Sequence, residues 1–299
     1  METVRKICRR LHAYLRISNY AGTVYAVYPD AVYCETAIGM ISILTTAHSL
    51  APFSAIVSAT KELTGFGIEE GQQVLMGEER IEIPACEFSI DLSQSTDYDL
   101  SMETIKAVFI PVDYDIRVRH ILRTVETNAK GDDLSPLITD AKRNEWSDQV
   151  KPLLPKLHAA LREQDHEECR AASAQIAGLG VGLIPPSDRL LCGYMAGYGA
   201  LSAALGRGFN RVLEMTRELA GAAAEHTTEL SAAFLLQSGE GLVSEDVFQL
   251  LRNVFSDAPY SALVASANRI ATMPLGGGSD LLVGIYLALS VLYTGRPIE

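Results

Sequence analysis

The chain has 299 residues, of which 48% are apolar and 21% charged, and this composition excludes a mainly disordered protein. Its formal net charge of −12 excludes the broad basic surface that nucleic-acid binding requires, although one pocket can still bind a small anion. The five cysteines are scattered and include no Cys-x-x-Cys pair, so we expect free thiols rather than a disulfide framework.

The first part of the chain is predicted to be a β-rich domain, residues 1–127, that begins with a helix. The basic, amphipathic start, residues 1–14, predicts that helix. Runs rich in Val, Tyr and Ile then alternate with turn residues such as Pro29-Asp30. The predicted strands are residues 23–28, 31–35, 38–47, 55–58, 74–76, 80–83 and 86–91, followed by a last apolar run at 107–112.

The second part, residues 128–299, is predicted to be an all-α domain. Residues 128–140 are predicted to be a domain linker or an excursion loop, because they contain Lys-Gly-Asp-Asp and Ser-Pro. Beyond them, apolar residues such as Leu154, Leu157 and Leu161 recur at helical spacing, and Asp165 and Ser244 are predicted N-caps. The predicted fold class is therefore α+β, with a sandwich or barrel-like N-terminal domain followed by a helical C-terminal domain.

Two glycine-rich loops each lead into a predicted helix. The first loop runs from Gly178 through two prolines to Ser187-Asp188, and the second runs from Gly276 to Ser279-Asp280. The first turn of a helix has amide groups without intrahelical partners and a partial positive charge. Because glycine lets the backbone approach a ligand closely, such a junction can hold a carboxylate, carbamoyl or phosphate oxygen.

A structural role for both junctions remains open at this point. No Gly-Lys-Ser/Thr follows the glycines, so neither junction is a P-loop, and no strand–helix–strand unit predicts a dinucleotide-binding fold. Asp188 and Asp280 are alternatively simple N-caps, and Gly193 and Gly197 alternatively let two helices pack closely.

A third segment carries three hydroxyl groups, on Thr227, Thr228 and Ser231. At helical spacing these side chains share a face and could line a polar pocket, or they could bond back to their own helix carbonyls. The six histidines are isolated from one another and no nucleophile motif is present, so no catalytic residue, metal or cofactor is predicted.

Taken together, the three segments resemble the bacterial AllH-like family, whose namesake is a subunit of oxamate carbamoyltransferase in anaerobic allantoin breakdown. The resemblance extends to the N-terminal part through residues 50–54. The positions that agree are Gly178, Gly180, Gly182, Leu183, Pro185, Asp188, Leu190 or Leu191, Gly193, Thr227, Thr228, Ser231, Gly241, Gly278, Asp280, Leu282 and Gly284.

The chain departs from the family pattern at five positions. Ile184 stands in place of Thr, Pro186 in place of Ser, and Arg189 in place of Asp. Leu275 stands in place of His, and Gly277 in place of Ser. The exchange of Asp for Arg189 changes the local charge by two units, which favours a more anionic ligand or the loss of ligand binding.

The resemblance implies a subunit of a carbamoyltransferase-type complex in purine- or allantoin-related nitrogen catabolism. Two alternatives stay open: a non-catalytic scaffold or regulatory subunit with a degenerate pocket, and a stand-alone small-molecule-binding protein. Expected partners are other subunits of such a complex, a second copy of the chain, or both. The longest apolar stretches fall short of the roughly 20 residues that span a bilayer, so we expect a cytoplasmic protein with no membrane or nucleic-acid partner.

The expected ligand is a small anionic or carbamoyl-bearing molecule. The predicted ligand-binding residues are Gly178, Gly180, Gly182, Asp188, Arg189, Thr227, Thr228, Ser231, Gly276, Gly277, Gly278, Ser279 and Asp280.

Overall fold

The computed structural model describes residues 2–105, 109–273 and 276–295. The chain divides into two units, one that ends at Leu100 and one that begins at Ser101. The first unit is a β-barrel and the second is helical, which confirms the predicted α+β class. The boundary predicted between residues 127 and 128 falls at the end of a helix of the second unit.

Some strands of the N-terminal unit, such as Arg80–Ile83 and Phe88–Asp91, alternate apolar and polar residues, and others, such as Gly39–Thr45 and Ser54–Ser58, are buried along nearly their whole length. In the described residues up to Leu100 the strands are β1 (Glu2–Cys8), β2 (Tyr20–Val27), β3 (Ala31–Thr36), β4 (Gly39–Thr45), β5 (Ser54–Ser58), β6 (Gln73–Met76), β7 (Arg80–Ile83), β8 (Phe88–Asp91) and β9 (Thr96–Tyr98). One α-helix, α1 (Arg9–Ile17), follows β1.

Eight of these strands close into a barrel in the order β5-β4-β3-β2-β6-β7-β8-β1. Antiparallel pairing of β1 with β5 closes the ring, with Val4 opposite Val57 and Ile7 opposite Ala55. The short strand β9 pairs in parallel with the second half of β1. Closure removes the exposed sheet edges that an open sheet would leave unpaired.

The start of the chain differs from its prediction. Residues 2–8 form β1, and the helix predicted for residues 1–14 occupies Arg9–Ile17 instead. Val4 and Ile7 are buried between neighbouring strands, and the pairing partners of β1 are distant in sequence, so local amphipathicity could not reveal them. The last predicted apolar run, 107–112, lies partly outside the described residues, and its residues 109–112 form no strand.

The C-terminal unit is built from amphipathic helices around two apolar ones. Its described helices are α2 (Tyr114–Asn128), α3 (Glu145–Val150), α4 (Leu154–Glu163), α5 (His166–Ile176), α6 (Pro186–Ala204), α7 (Phe209–Ala224), α8 (Glu229–Gly239), α9 (Glu245–Val254), α10 (Tyr260–Ala271) and α11 (Gly278–Thr294). Asp165 and Ser244 accept hydrogen bonds from first-turn amides of α5 and α9, so both predicted N-caps are confirmed. None of the helices in the described ranges is long and apolar enough to cross a membrane.

Helices α6 and α11 are buried along most of their length and pack against each other in parallel. A Cβ atom on Gly193 would lie 2.0 Å from the carbonyl oxygen of Leu281, and a Cβ atom on Gly284 would lie 2.0 Å from that of Leu190. Backbone therefore touches backbone at both positions, as expected if Gly193 lets two helices pack closely. The parallel direction places the first turns of the two helices side by side.

We expect Gly284→Ala to destabilise the helical unit, because the added methyl group meets backbone rather than a movable side chain. Overpacking of this kind costs about 1–3 kcal/mol or more. Gly221→Ala in α7 is the matched control: its Cβ would meet no heavy atom within 4 Å, so better helix propensity should stabilise the protein by up to about 1 kcal/mol. Urea denaturation measures both changes, and equal effects would contradict the close contact.

Candidate functional site

The glycine loop before α6 folds back onto the first turn of its own helix. Gly178, Gly180 and Gly182 have φ angles of 74°, 122° and 101°, which favour glycine over residues with a side chain. The Leu179 amide donates to Ser187 Oγ at 2.9 Å, and the Ser187 amide donates to the Leu179 carbonyl at 3.3 Å. The first available amide of α6 is thus already used by the loop.

Asp188 is the centre of a buried hydrogen-bond cluster. Its side chain is fully buried, and its Oδ1 accepts a hydrogen bond from the Gly178 amide at 2.8 Å. Its Oδ2 accepts hydrogen bonds from the hydroxyls of Thr227 and Ser231, the latter at 2.5 Å. One carboxylate therefore ties together the glycine loop, α6 and the start of α8.

The hydroxyl segment does not form an open polar face. Thr228 is the N-cap of α8, so Thr227 and Thr228 precede that helix rather than lie on it. Thr228 Oγ1 donates to the Leu183 carbonyl at 2.5 Å and accepts from the Ser231 amide at 3.2 Å. These hydroxyls bond to Leu183 of the first glycine loop and to Asp188. The sequence had predicted either a polar pocket or hydrogen bonds to their own helix carbonyls.

The second junction is also a glycine turn that leads into a helix, but its aspartate bonds to a different segment of the chain. Gly276 and Gly277 have φ angles of 74° and 77°, and α11 begins directly after them. Asp280 is 2% exposed, and its Oδ1 accepts a hydrogen bond from the Leu134 amide at 2.8 Å. Asp188 and Asp280 are both the third residue of their helices and not N-caps, so the N-cap alternative is wrong for both.

The loop between α2 and α3 completes the second junction. Asp133 accepts hydrogen bonds from the Lys130 amide and from the amide and hydroxyl of Ser135, which fixes the loop conformation. Nζ of Lys130 lies 3.9 Å from the position of a Cβ atom on Gly276. The sequence predicted a linker or an excursion loop here, but the contact of this loop with Asp280 was missed because it uses the Leu134 backbone amide, which leaves no side-chain signature.

Arg189 joins the two junctions. A Cβ atom on Gly277 would lie 2.3 Å from Cζ, Nε and Nη1 of Arg189, so the guanidinium packs directly on the bare glycine backbone. Arg189 belongs to the first turn of α6, and Gly277 immediately precedes α11. Any residue other than glycine at 277 would displace the guanidinium.

Amide donors are distributed unequally between the two helix starts. In α6 the first residue is Pro186, which has no amide hydrogen, and the Ser187 amide is bonded to Leu179. In α11 the amides of Gly278, Ser279 and Asp280 have no acceptor among the residues that the structure describes. These three residues are buried, and residues 274 and 275 just upstream of them lie outside the described ranges.

Two family models match this chain. The AllH family N-terminal domain matches residues 3–97, and the oxamate carbamoyltransferase subunit AllH matches residues 176–289. The chain belongs to the AllH family. The second match contains both glycine junctions and the hydroxyl segment. The comparison with curated proteins and the comparison with solved structures each found no significant match.

Two residues at which the resemblance implied a departure from the family pattern contact each other in the structure. The guanidinium of Arg189 occupies the space that a side chain at residue 277 would need, so these two positions are sterically linked. Leu275, a third such residue, lies outside the described residues. Within the described ranges, no group of three His, Cys, Asp or Glu side chains could hold a metal ion.

The electrostatics of the second junction centre on Asp280. The pKa of Asp280 is raised from 3.8 to about 7, chiefly by burial and to a smaller extent by the negative charges of Asp133 and Asp132. The hydrogen bond from Leu134 and the positive charge of Arg189 lower it. Near neutral pH the carboxyl group is therefore divided between its neutral and ionised forms.

We expect Asp188→Ala to cost about 3–5 kcal/mol of unfolding free energy, because the buried hydroxyl of Ser231 and the partly buried Gly178 amide and Thr227 hydroxyl lose their acceptor. Asp165→Ala is the control, since Asp165 is an exposed N-cap worth about 1 kcal/mol. Denaturant unfolding monitored by circular dichroism compares them. Similar losses for the two variants would refute the central role of Asp188.

We expect Asp280→Asn to alter the pH dependence of stability. Between pH 4 and 7 the folded protein retains a proton that the unfolded chain releases, so wild-type stability falls as pH rises through this range. The Asn side chain keeps the acceptor for Leu134 and cannot ionise. The variant should therefore gain up to about 4 kcal/mol relative to wild type across that window, measured by urea midpoints. Parallel curves for the two proteins would contradict the raised pKa.

Proposed function

We propose that this chain is a subunit of an oxamate carbamoyltransferase-type complex and binds a small anionic or carbamoylated ligand at the start of α11. The family match supports the subunit role. The observation that carries the ligand proposal is the guanidinium of Arg189 packed on Gly277, beside first-turn amides of α11 that have no acceptor among the described residues.

The charges around this turn favour an anion. The parallel α6 and α11 each contribute a positive dipole end, equivalent to about half a unit charge. Arg189 and Lys130 add two positive charges next to Gly277 and Gly276, and Asp132, Asp133 and the partly ionised Asp280 offset part of that charge. The planar guanidinium can donate two parallel hydrogen bonds to a carboxylate or phosphate, while backbone amides bind another oxygen of the same ligand.

The two junctions have different roles in this proposal. The first junction and the hydroxyl segment, including Asp188, Thr227 and Ser231, form the rigid support that positions Arg189. The second junction provides the binding surface. Asp280 holds the Leu134 loop, and with it Lys130, against the glycine turn, and its ionisation state adjusts the local charge.

In the proposed reaction a carbamoyl group moves between phosphate and a small amide such as oxamate. In the direction that forms carbamoyl phosphate, a phosphate oxygen forms a bond to the carbamoyl carbon. The bond from that carbon to the amide nitrogen then breaks, and the nitrogen takes up a proton. Main-chain donors and Arg189 would stabilise the negative charge of the phosphate and of the developing oxyanion. We place this activity in cytoplasmic nitrogen catabolism, including allantoin breakdown, with other subunits that complete the site.

A non-catalytic scaffold subunit is the second candidate. The observation that favours it is that the polar groups of the first junction bond to one another: Ser187 to Leu179, and Asp188 to Gly178, Thr227 and Ser231. The two candidates make different predictions for the second junction. A scaffold needs the buried cluster and does not need Arg189 to meet a ligand.

The test compares Arg189→Gln with Lys156→Gln, an exposed lysine on α4 that gives the same change in net charge. The chain is co-purified with the products of neighbouring genes, and carbamoyl phosphate formation is assayed from a carbamoylated oxamate and phosphate. Loss of one charge-assisted contact, worth about 1.5–3 kcal/mol, should raise the KM for the anionic substrate ten- to hundredfold. Lys156→Gln should leave it unchanged.

Retention of full activity by Arg189→Gln in an intact complex would exclude the proposed ligand contact and leave the scaffold role. Activity of the chain without any partner would contradict the subunit role. Circular dichroism of each variant separates loss of binding from loss of fold.

A further inference from the structure

The glycine loop between α5 and α6 presents apolar side chains to solvent at its tip. Val181 is 74% exposed, Leu183 is 40% exposed, and Gly182 between them is exposed as well. A Cβ atom on Gly182 would meet no heavy atom of the described residues within 4 Å. Single exposed apolar residues are common on proteins, but here two of them, separated by one glycine, form the tip of one loop.

The loop is held firmly in this exposed conformation. The Leu179 amide donates to Ser187 Oγ at 2.9 Å, and the Thr228 hydroxyl donates to the Leu183 carbonyl. Residues 185–186 are buried prolines, whose rings fix the backbone where the loop enters α6. The apolar tip is therefore preorganised, and a surface of this kind loses little conformational entropy when it binds a partner.

Two carboxylates flank the segment that supports the loop. Residues 226–228 contact the loop through the His226 carbonyl and the Thr228 hydroxyl, and Glu225 and Glu229 directly precede and follow this segment. Both glutamates are exposed, and neither forms an ion pair within the part of the chain that the structure describes. The surface around the loop thus combines an apolar tip with uncompensated negative charge.

This charge favours a different protein over a second copy of the chain as the partner. A second copy would bring the same carboxylates and a net charge of −12 to the contact, and like charges disfavour association. A partner with basic side chains around an apolar hollow would complement both features of the surface. The family match describes a subunit, which supports the presence of at least one such partner chain.

We propose that residues 181–183 insert into an apolar hollow of another subunit, whose basic rim pairs with Glu225 and Glu229. This inference rests on the subunit role proposed above and adds where the partner docks. The loop leads directly into the first turn of α6, which carries Arg189. The docked subunit therefore lies next to the proposed ligand site, where it can help to exclude water.

Hydrogen exchange locates the contact by comparing the full chain alone with the complex formed on co-expression with the products of neighbouring genes. We expect the amides of residues 181–183 to exchange rapidly in the free chain and at least tenfold more slowly in the complex. A complex that leaves their exchange unchanged overturns the docking surface and keeps the subunit role. Failure to form any complex contradicts the subunit role itself.

Two other outcomes of the same experiment overturn the proposal. Slow exchange of residues 181–183 in the free, monomeric chain would mean that the chain itself covers the tip. Analytical ultracentrifugation that shows a homodimer, with the tip protected in it, would assign the surface to a second copy.

The apolar contact is tested with the double variant Val181→Ser, Leu183→Ser, which should raise the Kd of the complex at least tenfold. Leu205→Ser is the matched control, because Leu205 is 44% exposed and lies at the opposite end of α6. It should leave the Kd unchanged. Circular dichroism confirms that each variant is folded, and full affinity of the double variant would rule out the insertion.

The charge contact is tested with Glu225→Lys, at the carboxyl end of α7. It should raise the Kd several-fold, and the effect should shrink as salt concentration rises. Glu163→Lys, at the carboxyl end of α4, makes the same change in net charge away from the loop and should have little effect. Equal effects of the two reversals would contradict a basic rim at this surface.

Discussion

The parallel contact between α6 and α11 is the constraint on which the helical unit depends. Gly193 and Gly284 each lie against a carbonyl oxygen of the other helix, at a distance that leaves no space for a side chain. Antiparallel helices would place opposite dipole ends together, which is favourable. Here the two positive ends are adjacent, and this arrangement places Arg189 beside the glycine turn of α11.

The two buried aspartates show how one local pattern can serve two purposes. Asp188 and Asp280 both follow a serine in the first turn of a helix, and each accepts a backbone amide from another segment. Asp188 also accepts hydrogen bonds from two hydroxyl groups, so both of its carboxylate oxygens have partners. Among the described residues, Asp280 accepts a hydrogen bond from the Leu134 amide and lies near Arg189, Asp132 and Asp133, and the pKa of its carboxyl group is raised to about 7. The polar groups of the first junction therefore bond to one another, whereas the second junction contains a group that titrates near neutral pH.

Basic side chains lie at both ends of the same helix pair in an acidic protein. At the amino ends Arg189 and Lys130 lie beside the positive dipole ends and beside carboxyl groups that offset part of their charge, and at the carboxyl ends Arg162 and Arg207 lie near the helix termini. Only the first arrangement opposes the usual placement of charges on helices. Local departures from such rules are often found at functional sites, because the structure retains them for binding rather than stability.

Much of the architecture was readable from the chain itself. Alternating and helical periodicities predicted the β-rich and α-helical parts, two N-caps, and the glycine junctions shared with the AllH family, because these signals depend on neighbours in sequence. The start of the chain was misassigned, since Val4 and Ile7 are buried by strands more than 40 residues away. The bonds of Asp188 to Thr227 and of Asp280 to Leu134, and the packing of Arg189 on Gly277, came only from the tertiary structure. They join segments that no local pattern connects, and one of them uses a backbone amide that every residue except proline possesses.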